Sequence, residues 1–136
     1  MSLSPDIFPQ TLSRQDMESR GIEVIERRNP SLVAEGTIAV TGEIKRVTDF
    51  EKGLPNALVD RNGTLEHDDI LDDQSLVIKL KGRGLVVIFG CSHAGIINTM
   101  LYAQKITGIN TIHVVLGGFH LQGPTFEPII EQTCRV

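Results

Sequence analysis

The chain has no tryptophan, one tyrosine and five phenylalanines. With so few rings, its core must rest on isoleucine, leucine and valine. Two cysteines, Cys91 and Cys134, are too few for a disulfide framework, so a reducing cytoplasm is the expected setting. No apolar run approaches the roughly 20 residues of a membrane-spanning helix, and no secretory leader is legible at the start. Basic charge is also in deficit. Thirteen Lys and Arg against 17 Asp and Glu leave a net charge of −4, which argues against nucleic acid as a main partner. There is neither an internal repeat nor a low-complexity segment. What is present is an ordinary soluble composition, 40% hydrophobic over 136 residues, enough for a single domain with one core.

In the first half, residues 13–20 read as a short polar helix that Gly21 ends, and "IEVIE" (residues 22–26) as an alternating strand. Residues 32–44 are strand-like but interrupted by Gly36 and Gly42. Residues 49–73 are polar and acidic, and read as an irregular loop with a turn at Asn62 and Gly63.

The second half is more regular. In "QSLVIKL", Leu76, Ile78 and Leu80 share one face, while Val77, Lys79 and Lys81 share the other. "KGRG" is a turn, and "LVVIF" (residues 85–89), apolar on both faces, is an interior strand. Residues 94–106 set Ile96, Ile97, Met100, Leu101 and Ala103 on one helical face, and Gly108 stops that helix. "TIHVVL" (residues 111–116) is a third strand, closed by Gly117 and Gly118. "PTFEPIIEQT" starts another helix or an irregular turn.

Strand, helix and strand form a βαβ unit, so its two strands are parallel neighbours with their carboxyl ends on one edge. Open α/β sheets place ligand sites at that edge. His93 follows the first strand and His120 the second, and neighbouring strands lie ~4.8 Å apart, so the two imidazoles can converge on one ion. His113 starts its strand, roughly 20 Å away at ~3.3 Å per residue, and reads as a satisfied core histidine. His67 lies in the acidic loop, where sequence does not place it. Each candidate also has a plainer reading. His93 or Ser92 can cap the helix, His120 can be a turn residue, and Cys91 a small buried hydrophobe. Asp68, Asp69, Asp72 and Asp73 read as a solvated loop, without the spacing of a calcium site.

Two other chemistries compete for "GCSHAG". It approaches the nucleophile elbow G-x-S-x-G, with Ser92 attacking and His120 assisting, but no acid lies between those two residues. It lacks the glycines and lysine of a phosphate loop, although the helix start at residues 94–96 leaves an anion such as substrate phosphate open.

Five blocks then occur in order: "TGEIKR", "FEKGLP", "DDQSL", "GCSHAGIINT" and "GGFHL". Together they resemble a metallo-β-lactamase-fold branch that includes the dihydropterin–ribofuranosylaminobenzene phosphate synthases of methanopterin biosynthesis and related metal-dependent hydrolases. The resemblance spans residues 32–121. It implies an α/β fold, half of an αββα sandwich, with His93 and His120 as metal ligands or His120 just behind the metal. Cys91, Ser92 and Asn98 are implied to support the metal or touch substrate. The cofactor implied is a divalent metal, zinc, weakly held or absent in this chain, and the substrate a small, phosphorylated molecule.

The family's His-x-His-x-Asp-His segment and its late histidine have no counterpart here. Residues 1–136 therefore read as one partial domain, a fragment of a longer chain that is inactive alone, and Met1, Ser2 and Leu3 suit a vector-derived leader. The rival readings are a noncatalytic α/β module completed by a partner, including a homo-oligomer through an exposed sheet edge, and a serine hydrolase using Ser92.

Overall fold

The protein is seen in a computed structural model that describes residues 6–7 and 13–135. Met1, Ser2 and Leu3 lie outside the described residues. β1 (Asp6–Ile7) is followed by α1 (Arg14–Ser19), which starts where expected because the Ser13 hydroxyl accepts the Asp16 N–H at 3.0 Å. The strand expected over residues 22–26 does not form, and Ile22 and Ile25 stay exposed. Alternation alone supplies no ladder partner. β2 (Ser31–Val33) and β3 (Ile38–Val40) make an antiparallel hairpin, and the break expected at Gly36 is its turn.

Residues 49–73, expected to be irregular, contain a second hairpin, β4 (Ala57–Arg61) and β5 (Thr64–His67). Its turn is at Asn62 and Gly63, both at positive φ, as expected. The strands escaped notice because all four residues of β5 are exposed, leaving no apolar alternation to read. With β1 parallel to β4, they form a three-stranded sheet.

The main sheet takes in β6 (Ser75–Leu80), β7 (Gly84–Phe89) and, after α2 (Ile96–Thr107), β8 (Ile112–Leu116); α3 (Glu127–Arg135) follows. Its order is β2-β3-β6-β7-β8. β7 is interior, as expected, and runs parallel to β8 across the α2 crossover. α2 ends at Gly108, whose φ of 69° turns the chain left-handed while its N–H bonds Gln104 O.

The two faces of this sheet differ. Ala39, Val77, Val87 and Val115 form one cross-strand row, flanked by Leu85 and Phe89, and α2 covers it with Ile96, Met100 and Ala103. Leu101, expected on the covered side of α2, points outward, whereas Asn98 and Thr99 are buried. The opposite face carries the rows Val40–Leu76–Ile88–Leu116 and Ile38–Ile78–Val86–Val114. Those residues are as apolar as the core yet none is buried, and Leu76, Leu80 and Leu116 are exposed. No helix among the described residues is long and apolar enough to cross a membrane.

Candidate functional site

The carboxyl ends of β7 and β8 open into two turns. The first, residues 90–95, carries Cys91, Ser92 and His93; the second, residues 117–120, ends at His120. They are stitched together, since Gly118 N–H donates to Gly90 O at 3.0 Å and Ser92 Oγ donates to Gly118 O at 2.6 Å. Glycine is required at Gly117, where φ is 128° and any Cβ would run into Phe89 O. Ser92 at φ 61° and His120 at φ 47° are held left-handed without that freedom. The stitch brings the rings of His93 and His120 to 4.8 Å between centroids, tilted by 53°. Phe126 stands edge-on to His120 at 5.4 Å.

Both rings line a cleft of about 260 Å³ with Glu51, Lys52, Phe50, Phe119 and Phe126 among its walls. His93 Nδ1 is buried there without a hydrogen-bond partner among the described residues. Burial first, and then the facing His120, hold the His93 imidazole below its ordinary value; Arg46 adds to this, and Asp73 and Asp72 oppose it. A neutral ring with an orphaned nitrogen is suited to donate a lone pair to a metal. Two imidazoles fit as donors, but a catalytic zinc takes about three protein ligands. Among the described residues, no three His, Cys, Asp or Glu side chains converge. Two imidazoles alone do not make a complete set of donors, and no reaction step follows from them.

Several sequence expectations need correction. Neither Ser92 nor His93 caps α2. Its N-cap is Gly95, which has no side chain to offer. The capping groups come from elsewhere: Glu51 accepts from Ile97 N and Asn98 N, each at 2.8 Å, and Asp73 Oδ2 accepts from Ala94 N at 2.8 Å. These carboxylates occupy the helix start where a substrate phosphate was one expectation. Asp73 is thus no solvated loop residue, whereas Asp69 stays exposed beside His67, 3.5 Å away. Cys91 is exposed rather than buried and lies off the cleft wall. His113 is exposed, not a core histidine, because it is the residue skipped where the β7–β8 register shifts, between Ile112 opposite Leu85 and Val114 opposite Val86. Asn98 is fully buried and has no surface for a substrate. Its Oδ1 accepts from Val47 N (2.7 Å) and Thr48 N (2.9 Å), and its Nδ2 donates to Ala94 O (2.9 Å).

Sequence reasoning missed Arg46 and Glu51. Arg46 Nη2 donates to His93 O at 3.1 Å and to Asp69 O at 2.6 Å. Only Glu51 has a sequence signal, and it is indirect: a helix that begins after Ala94 and Gly95 has no local capping side chain, so its free N–H groups need acceptors from afar.

A mixed α/β sheet with its candidate site at the carboxyl ends of β7 and β8 defines part of a metallo-β-lactamase-like fold, and a solved structure agrees. A metal-dependent hydrolase of the beta-lactamase superfamily superposes with a TM-score of 0.64 at 29% identity, over 83% of this chain and 43% of that one. In sequence, the chain is 34% identical over 120 residues to the 7,8-dihydropterin-6-methyl-4-(beta-D-ribofuranosyl)-aminobenzene-5'-phosphate synthase of Methanocaldococcus jannaschii, covering 86% of this chain and 40% of that enzyme. An uncharacterized protein of the same organism is 37% identical over 86 residues, 63% of this chain and 30% of its own length. The chain thus spans less than half the length of the relatives it matches. No family model matches it.

Proposed function

We propose that the His93–His120 edge is one part of a divalent-metal site, with zinc as the metal, in a cytoplasmic metal-dependent hydrolase or pterin-synthase-like enzyme acting on a small, phosphorylated molecule. The carrying observation is the pair itself: two histidine rings 4.8 Å apart at the ends of parallel strands, one with a buried, unpartnered nitrogen. Held there, such an ion would supply Lewis acidity, toward a water or a phosphate oxygen. His93 and His120 would hold it, and the remaining ligands come from outside the described residues. On this reading the chain is a partial domain and does not catalyse alone. The uncovered apolar face of the main sheet favours one variant, in which a partner chain completes the sandwich. The serine reading loses support because the Ser92 hydroxyl is already donated to Gly118 O.

The test is zinc uptake by equilibrium dialysis with elemental analysis. The chain is expected to bind zinc weakly or at partial occupancy, to lose it in His93→Ala and in His120→Ala, and to keep it in His67→Ala. Tight stoichiometric zinc that survives His93→Ala and is lost in His67→Ala refutes the assignment.

A further inference from the structure

We propose that Glu51 is a positioning residue for the histidine edge: its buried carboxylate, 42 residues upstream of His93 (93 − 51), sets where residues 90–95 lie and hence how His93 faces His120. The inference rests on the metal reading only for what the pair does. The geometric claim stands without it.

Glu51 is 4% exposed, and both of its oxygens face the first turn of α2. A carboxylate is costly to bury unless it is matched. Here two backbone N–H groups and the positive end of the helix match it, and Thr48 Oγ1 adds a donor at 3.3 Å. The fit depends on Gly95. It sits at φ 102° directly over the carboxylate, and a Cβ there would collide with Glu51. Glu51 and Gly95 therefore work as a pair, the large group filling what the small one leaves. His93 lies two residues before Gly95 in the same turn, and its carbonyl is held by Arg46 from the same upstream segment. Asn98 closes that segment onto the helix by accepting from Val47 and Thr48. Residues 46–51 thus strap the turn from outside, beside Asp73, which accepts from Ala94 N, and the turn's own Gly95 N–H to Ser92 O bond.

A simple stabilising cap predicts a lower melting temperature and an unchanged site. Positioning predicts that the site itself moves in a chain that is still folded. Two-dimensional NMR of the metal-free chain separates them through ring-proton shifts and the His93–His120 NOE, with circular dichroism reporting the fold. In Glu51→Gln, one carboxylate oxygen becomes an NH2 facing a backbone N–H. The His93–His120 NOE is expected to weaken and the His93 ring signals to shift, while those of His67 and His113 stay in place. Gly95→Ala should produce the same signature with Glu51 intact, and the double variant should do no more than the worse single one, as coupled sites do. If Glu51→Gln does not fold, Thr48→Val, which removes only the hydroxyl donor, must move the same His93 signals. A folded Glu51→Gln with an unchanged NOE and unchanged His93 shifts overturns the proposal, as does a Thr48→Val spectrum with His93 in place. Cobalt(II) added alone then tests the metal reading separately. Affinity should fall roughly tenfold in Glu51→Gln, as for other residues that orient ligands. If the unaltered chain binds no cobalt, the metal reading fails while the NMR result stands.

Discussion

Asn98→Leu is expected to destabilise the domain by about 2 kcal/mol, because it removes a side chain that, with Glu51, joins the upstream segment to α2. The wild-type amide is 0% exposed, accepts two backbone N–H groups and donates to Ala94 O. Leucine has similar volume, so cavity formation contributes little. The loss is the hydrogen bonding: leaving a buried polar group without a partner costs about 1–3 kcal/mol. The N–H groups of Val47 and Thr48 are only partly buried, so each belongs near the lower bound, and the Ala94 carbonyl adds a similar amount. Burying the leucine side chain returns about 1 kcal/mol. Asn98→Asp isolates one part of this sum. Its carboxylate can still accept from both N–H groups but faces the Ala94 carbonyl with an acceptor, so about 1–2 kcal/mol is expected. Urea unfolding at constant m gives both values. Asn98→Leu below 1 kcal/mol, or Asn98→Asp costing more than Asn98→Leu, refutes the account of how this loop is held.

Val87→Asp puts an unpaired charge on a fully buried position of the interior strand; the chain should lose cooperative unfolding by circular dichroism, and a soluble, cooperatively folded variant would place β7 at a surface. Ser92→Ala removes the hydrogen bond to Gly118 O and should cost about 1 kcal/mol in urea while zinc uptake persists; loss of zinc there, with His93→Ala still binding, would return the turn to serine chemistry. Leu76→Glu, on the uncovered sheet face, should reduce concentration-dependent light scattering with little loss of melting temperature; a collapse in melting temperature would mean that this face is packed.

The βαβ unit was legible because three local signals coincide there: apolar runs of strand length, a helical stripe, and glycines at each boundary. Those signals placed His93 and His120 on one edge, since the crossover rule converts sequence order into spatial adjacency. Chains of local polarity failed elsewhere for a common reason. β5 has no buried residue, so its hairpin leaves no pattern, and residues 22–26 have a pattern but no strand beside them. The apolar parity of β6 was visible, yet sequence does not say which face a helix will cover. Leu76 and Leu80 stand on the open one, and the smaller Val77 is buried. Glu51 and Arg46 were beyond reach because the contacts that tie them to the His93 turn and the start of α2 span 46 or 47 residues, and no periodicity encodes so distant a contact.

The stitch between Gly90, Ser92 and Gly118 gives the histidine pair a particular thermodynamic character. Residues 93 and 120 are distant along the chain, and drawing them together costs conformational freedom. Folding meets that cost when the two backbone turns lock, before any ligand arrives. Metal affinity in a preorganised pair then reports ligand number and chemistry, with little ordering left to do on binding. The same rigidity couples the two turns: with two bonds in the stitch, losing one leaves the rings paired, and losing both would free them together.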